Sequence, residues 1–135
     1  MSFEFLNPES MSQPRGFNHG LLAPAGGRIL FVAGQTATGA DGKIVPGCFA
    51  AQFAQALDHS LAVVREAGGA PEHIGRMTVY VSDMAAYLAS RRELADVWRE
   101  RLGRHYPAMA LVEVKSLVDE GAIVEIEATA VLPAS

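Results

Sequence analysis

The sequence predicts an α+β domain, a two-layer sandwich in which a mixed sheet of about six strands carries two helices on one face. Three observations predict it. Two stretches repeat apolar residues at three- and four-residue spacing, as helices do. Several shorter runs are rich in branched and aromatic residues, as strands are. The order of the two kinds, hairpin, helix, strand, helix, strand pair, is that of a sheet with helices laid on it. A chain of 135 residues, 50% hydrophobic and 19% charged, is the size of one such domain.

Residues 1–14 are polar, interrupted by Pro8 and Pro14, and read as a loose N-terminal arm; residues 15–135 form the domain. A mildly apolar segment, 17–25, precedes the turn signal Gly26-Gly27, and Arg28 to Ala33 (RILFVA) is a strand; together they read as a hairpin. Further turns fall at Ala40-Asp41-Gly42-Lys43 and Pro46-Gly47. Phe49, Phe53, Leu57, Leu61 and Val64 make the apolar stripe of the first helix, stopped by Gly68-Gly69 and Pro71. Met77 to Val81 is a buried strand. Ser82 or Asp83 caps a second helix over 84–102, ended by Gly103. Strands 108–115 and 122–132 follow, joined by Val118-Asp119-Glu120-Gly121 and read as a pair. Leu30 and Val32 oppose Ile29 and Phe31, and Ala110 and Val112 oppose Met109 and Leu111, so the sheet is apolar on both faces. Helices are available for only one of them, which implies further copies of the chain on the other.

Composition also excludes. A net charge of −4 with no uninterrupted basic stretch argues against a nucleic-acid partner. The single cysteine, Cys48, permits no intrachain disulfide and reads as a small structural residue, which fits a reducing, cytoplasmic setting. The N-terminus lacks a basic segment followed by an apolar one, and no apolar run approaches the roughly 18 residues of a membrane span. No HxH or HExxH spacing marks a metal site.

Two places break the apolar pattern. Met84, Tyr87, Ala95, Trp98 and Leu102 all fall within about 40° of Arg91 on a helical wheel, so Arg91 stands in the middle of the second helix's apolar stripe. Its stem either packs while the guanidinium reaches solvent, or the guanidinium faces a cleft and grips an anion. On the last strand Glu125 and Glu127 share a face with Ile123, Thr129 and Val131. They are either a solvent-facing edge or a carboxylate placed to hold a water or move a proton. His19 is either a surface residue or a pocket donor.

Phe31-Val32-Ala33-Gly34-Gln35, Gly42-Lys43-Ile44-Val45, Gln52 with Ala56-Leu57, Ala67-Gly68-Gly69, Met77 through Met84, and Val124-Glu125-Ile126-Glu127-Ala128 resemble, in this order, the reactive intermediate deaminase (RidA, or YjgF-type) family. The likeness runs over about residues 17–132. It implies a chorismate-mutase-like fold and a homotrimer whose sheets form a central barrel. It implies inter-subunit clefts lined by the strand at 108–112, Glu125, the Ala33-Gly34 turn and the second helix. It also implies hydrolysis of reactive 2-imino acids or their enamine tautomers to 2-keto acids and ammonia, with no metal or cofactor. The family's deaminases carry a substrate-gripping arginine in a Pro-Ala-Arg-Ser motif. This chain reads Pro107-Ala108-Met109-Ala110, with Leu111 two positions after Met109, Asn18-His19-Gly20 where Gly-Pro-Tyr is usual, and Ala33 where the turn serine stands. Arg91 falls where those deaminases carry a cleft-side asparagine. The expectation is therefore an imine or enamine hydrolase with altered specificity. Glu125 would hold the water and His19 assist proton transfer; Arg91 would grip an anionic group, with Gly34, Ala33, Met109, Ala110 and Leu111 as the binding walls. The alternatives are a non-catalytic trimer that binds a small acidic metabolite and, more remotely, an endoribonuclease or translation inhibitor.

Overall fold

The computed structural model describes residues 2–134. The strands are β1 (Glu4–Leu6), β2 (Gly20–Leu22), β3 (Arg28–Gln35), β4 (Ile74–Val81), β5 (Ala108–Glu113) and β6 (Val124–Leu132). The helices are α1 (Phe49–Glu66), α2 (Met84–Ala89) and α3 (Arg91–Leu102). The α+β class and the six strands are as the sequence predicts, but the strands divide between two sheets. Four make the main sheet in the order β3-β6-β4-β5, and β1 pairs with β2 apart from it.

Two pairings and one helix differ from the reading of the sequence. β2 pairs with β1, not with β3, so residues 4–6, expected in a loose arm, form a strand whose neighbour Phe3 is buried. β5 and β6 do not pair. β5 runs parallel to β4, and β6 inserts antiparallel between β3 and β4. The last strand of the chain is therefore interior, and its alternate residues Val124, Ile126, Ala128, Ala130 and Leu132 are all buried. The third difference is in the second helix, which breaks at Ser90. The Ser90 hydroxyl donates to the Ala86 carbonyl at 2.8 Å, a back-bond that bends helices, and Ser90 at once closes α2 and opens α3.

Local signals explain the rest. Phe49, Phe53, Leu57, Leu61 and Val64 bury the α1 stripe in one core with Met77 and Val79 of β4 and Ile126 of β6. Gly68 (φ 86°) and the Gly69 N–H, donating to Val64 O at 2.9 Å, end the helix as the glycine pair predicts. The Asp83 carboxylate caps α2 by accepting from Ala86 N at 3.1 Å, and Glu113 of β5 accepts from Met84 N at 2.9 Å. Gln52 is buried and fully used: its amide donates to Gly121 O and accepts from Ile123 N, both at 3.1 Å, pinning the approach to β6 onto α1. Arg101 of α3 grips Asp58 of α1 through two bonds, at 2.7 and 3.2 Å.

All three helices lie on one face of the main sheet. The opposite face carries Ile29 at 63% exposure and Phe31 at 79%, as the two-sided apolar pattern requires. No helix among the described residues is long and apolar enough to cross a membrane.

Candidate functional site

A cavity of about 830 Å³ opens on the helix side, between α2–α3 and the β4–β5 edge of the sheet. Sheet alternation places its floor: Met77 and Val79 of β4 pair with Met109 and Leu111 of β5, so both β5 side chains point toward the helices. Met109 and Leu111 line the cavity, with Phe53 of α1 and Leu94 of α3. Trp98 and Tyr106 form an aromatic wall, their rings stacked at 6.2 Å with 6° between planes. The indole N–H is satisfied by His105 O at 3.1 Å, which fixes that wall.

The rim is basic. Arg15, Arg91, Arg99 and Arg104 all line the cavity, and no aspartate, glutamate or histidine does. Arg99 is paired with Asp96. Arg15, Arg91 and Arg104 form no ion pair among the described residues. Arg91 donates only to Leu88 O, at 3.3 Å. Three free guanidiniums around one concavity, in a chain of net charge −4, make a local positive field that an anion would neutralise. The wheel argument thus places Arg91 beside Met109 and Leu111 in spite of the break at Ser90, because Arg91, Leu94, Ala95 and Trp98 all belong to the single helix α3. Arg15, Arg104 and Tyr106 are missed by sequence reasoning. Arg15 lies in a segment that offers no periodicity, and Arg104 and Tyr106 follow the helix-ending Gly103.

The remaining expected residues lie elsewhere. Glu125 pairs across the sheet with Tyr80, and Glu127 with Thr78, on the face away from the helices. Ala110, opposite Thr78, shares that face. Glu125 and Arg91 are therefore on opposite sides of one sheet. Ala33 and Gly34 belong to β3, not to a turn, at a register irregularity between Val32 and Gln35. Gly34 is there for close approach: a side chain on it would overlap the Glu125 carboxylate and stand 3.0 Å from its Cδ. Glu127 accepts the Tyr80 hydroxyl proton at 2.8 Å, and this hydrogen bond raises the Tyr80 pKa above its ordinary 10.0. His19 does not line the cavity. Its Nε2 donates to Ser12 O at 2.9 Å, and its backbone N–H donates to Asn7 Oδ1 at 2.8 Å, so the ring braces the loop between β1 and β2. Cys48 is exposed at the start of α1. No group of metal-binding side chains occurs among the described residues.

The fold is an α+β protein whose four-stranded sheet has one bare apolar face and a basic-rimmed cavity on its helix side. Its relatives agree on the family. The family described as Endoribonuclease L-PSP matches residues 13–132, and the chain belongs to it. A RutC family protein of Pasteurella multocida is 33% identical over 105 residues, 78% of this chain and 81% of the relative. One from Pyrococcus abyssi is 30% identical over 105 residues, 77% of this chain and 79% of the relative. Among solved structures, the Rid family protein YyfB from Yersinia pestis, described as of unknown function, superposes with a TM-score of 0.84 at 33% identity, covering 98% of this chain and all of that one. The YjgF gene product of E. coli gives 0.68 at 29% identity, over 85% of this chain and 87% of that one. The chain is thus a RidA/YjgF-type protein, as the sequence blocks imply.

Proposed function

We propose that this protein binds a small carboxylate-bearing imine or enamine in the helix-side cavity and hydrolyses its C=N bond. The observation that carries the reading is the convergence of Arg91 with Met109 and Leu111 in one cavity. The guanidinium that the deaminases of this family present from the strand is absent at Met109, and a guanidinium enters the same space from α3. Bidentate hydrogen bonds from Arg91 would orient the carboxylate. The apolar floor suits a larger or more hydrophobic body than a small imino acid.

The cavity lining holds no carboxylate or imidazole, so we place the acid–base group outside it. A homotrimer supplies it: the bare face of one copy, bearing Glu125, packs over the β5 edge of the next. Glu125 of the copy that contributes the bare face then takes a proton from water as the oxygen adds to the imine carbon. Nitrogen, protonated in turn, leaves as ammonia when the carbinolamine C–N bond breaks and the carbonyl forms. Backbone groups at Ala33, Gly34 and Ala110, on the same face as Glu125, would polarise the substrate. No metal or cofactor enters the scheme, and we assign His19 a bracing role only.

Ammonia release from freshly generated imines tests the proposal. Arg91→Ala is expected to lower kcat/KM at least about tenfold, the cost of losing a charged hydrogen bond. Glu125→Gln is expected to lower kcat with binding preserved. Unchanged turnover in both variants would refute it. One observation favours a second reading, a non-catalytic trimer that holds an acidic metabolite: within a single chain every polar side chain at the cavity is an arginine or a tyrosine. Binding without ammonia release would select it. The nuclease named in the family's description needs a basic track for RNA, which a chain of net charge −4 does not favour.

A further inference from the structure

Resting on the anionic-cavity reading above, we propose that the natural ligand is an elongated dianion with an apolar middle, held by cations at both ends of α3. The cavity's free cations form two poles. Arg91 is the first residue of α3, and Arg104 lies two residues beyond its end at Leu102. Twelve helical residues separate the poles by about 18 Å of backbone, and the Arg91 Nε turns back to Leu88 O, away from the second pole. Arg15 belongs to the second pole, because the Asn18 side-chain amide donates to Tyr106 O at 2.9 Å and so ties its loop to the segment that carries Arg104.

Between the poles the wall is apolar: Leu94, Ala95 and the Trp98 face on α3, Met109 and Leu111 on β5. A monoanion satisfies one pole and leaves two unpaired guanidiniums at the other. Arg99, already paired with Asp96, does not need a ligand, whereas Arg15 and Arg104 have no carboxylate partner among the described residues. A second acidic group about the length of a short alkyl chain from the first neutralises both poles and leaves the middle of the ligand against the apolar wall.

The test compares heptanoate with heptanedioate, equal in length and different by one carboxylate, by calorimetry on the full-length protein. Heptanedioate is expected to bind at least about tenfold tighter. Arg15→Ala/Arg104→Ala, at two exposed positions, is expected to erase that preference. Arg104→Lys in the otherwise native chain should retain most of it. Equal binding of the two acids by the native protein, or an undiminished preference in the double variant, overturns the second pole and leaves the Arg91 pole standing. Binding of neither acid overturns both this proposal and the anionic cavity itself.

Discussion

Gly34 shows how one missing Cβ positions a chemical group. The Glu125 carboxylate lies where a side chain on Gly34 would be, and the atoms in the way are the far end of a flexible side chain. Gly34→Ala is therefore expected to change the melting temperature by only a few degrees while lowering kcat, because Glu125 must swing aside; equal loss of fold and activity would mean that the glycine serves the backbone alone. The sequence offers Gly34 only as part of a family block and an expected binding wall; its closeness to Glu125 is a property of the β3–β6 pairing, and that pairing is non-local. Tyr80 offers a second probe. Its hydroxyl donates to Glu127, so the neutral phenol is favoured and its pKa lies above 10.0 in the fold. The stabilisation is complete below the ordinary phenol value and is lost as pH rises through the raised one. Glu127→Gln should move the phenolate absorbance transition back down toward 10.0, read as the difference from a Tyr80→Phe control.

At the scale of elements, sequence patterning locates α1 and its boundaries well, since a 3.6-residue stripe and a glycine stop are local signals. Pairing partners are less legible. β6 is the last strand, and nothing local says that it inserts between β3 and β4 rather than folding back on β5. The buried Gln52 is part of what enforces the insertion, by bonding both Gly121 O and Ile123 N ahead of β6. Gln52→Ala is expected to destabilise the protein by about 2–3 kcal/mol, from two lost bonds and two stranded backbone groups, measured by urea denaturation. The break at Ser90 is likewise illegible to a helical wheel, which assumes one axis from Met84 to Leu102. The wheel still finds Arg91 because Leu94, Ala95 and Trp98, which line the cavity with it, also follow the break. It misses Arg15 and Arg104 because neither lies in a periodic element.

For the whole molecule, the governing feature is the bare sheet face, where Ile29 is 63% and Phe31 is 79% exposed. The sequence discloses it through strands apolar on both sides, but not which side holds which function. Arg91, Met109 and Leu111 lie under the helices and Glu125 on the bare side, so the proposed catalytic set requires more than one copy. Phe31→Glu is expected to give a folded monomer by light scattering, with native far-ultraviolet circular dichroism and without ammonia release. A trimeric and fully active variant would separate the exposed face from assembly.

The ribbon of β1 and β2 has a practical consequence. Phe3 packs against Gly75 of β4, with ring atoms 2.7 Å from where a Cβ would sit. The Asn7 side chain holds Asn18, and Asn18 holds Tyr106. Residues 3–7 are thus anchored at one end to the main sheet and at the other to the loop that presents Arg15. A purification tag or cleavage scar fused directly before Phe3 would load that anchorage, whereas one appended beyond Ala134 would not. Affinities measured on differently tagged preparations should therefore diverge at the Arg15 pole first.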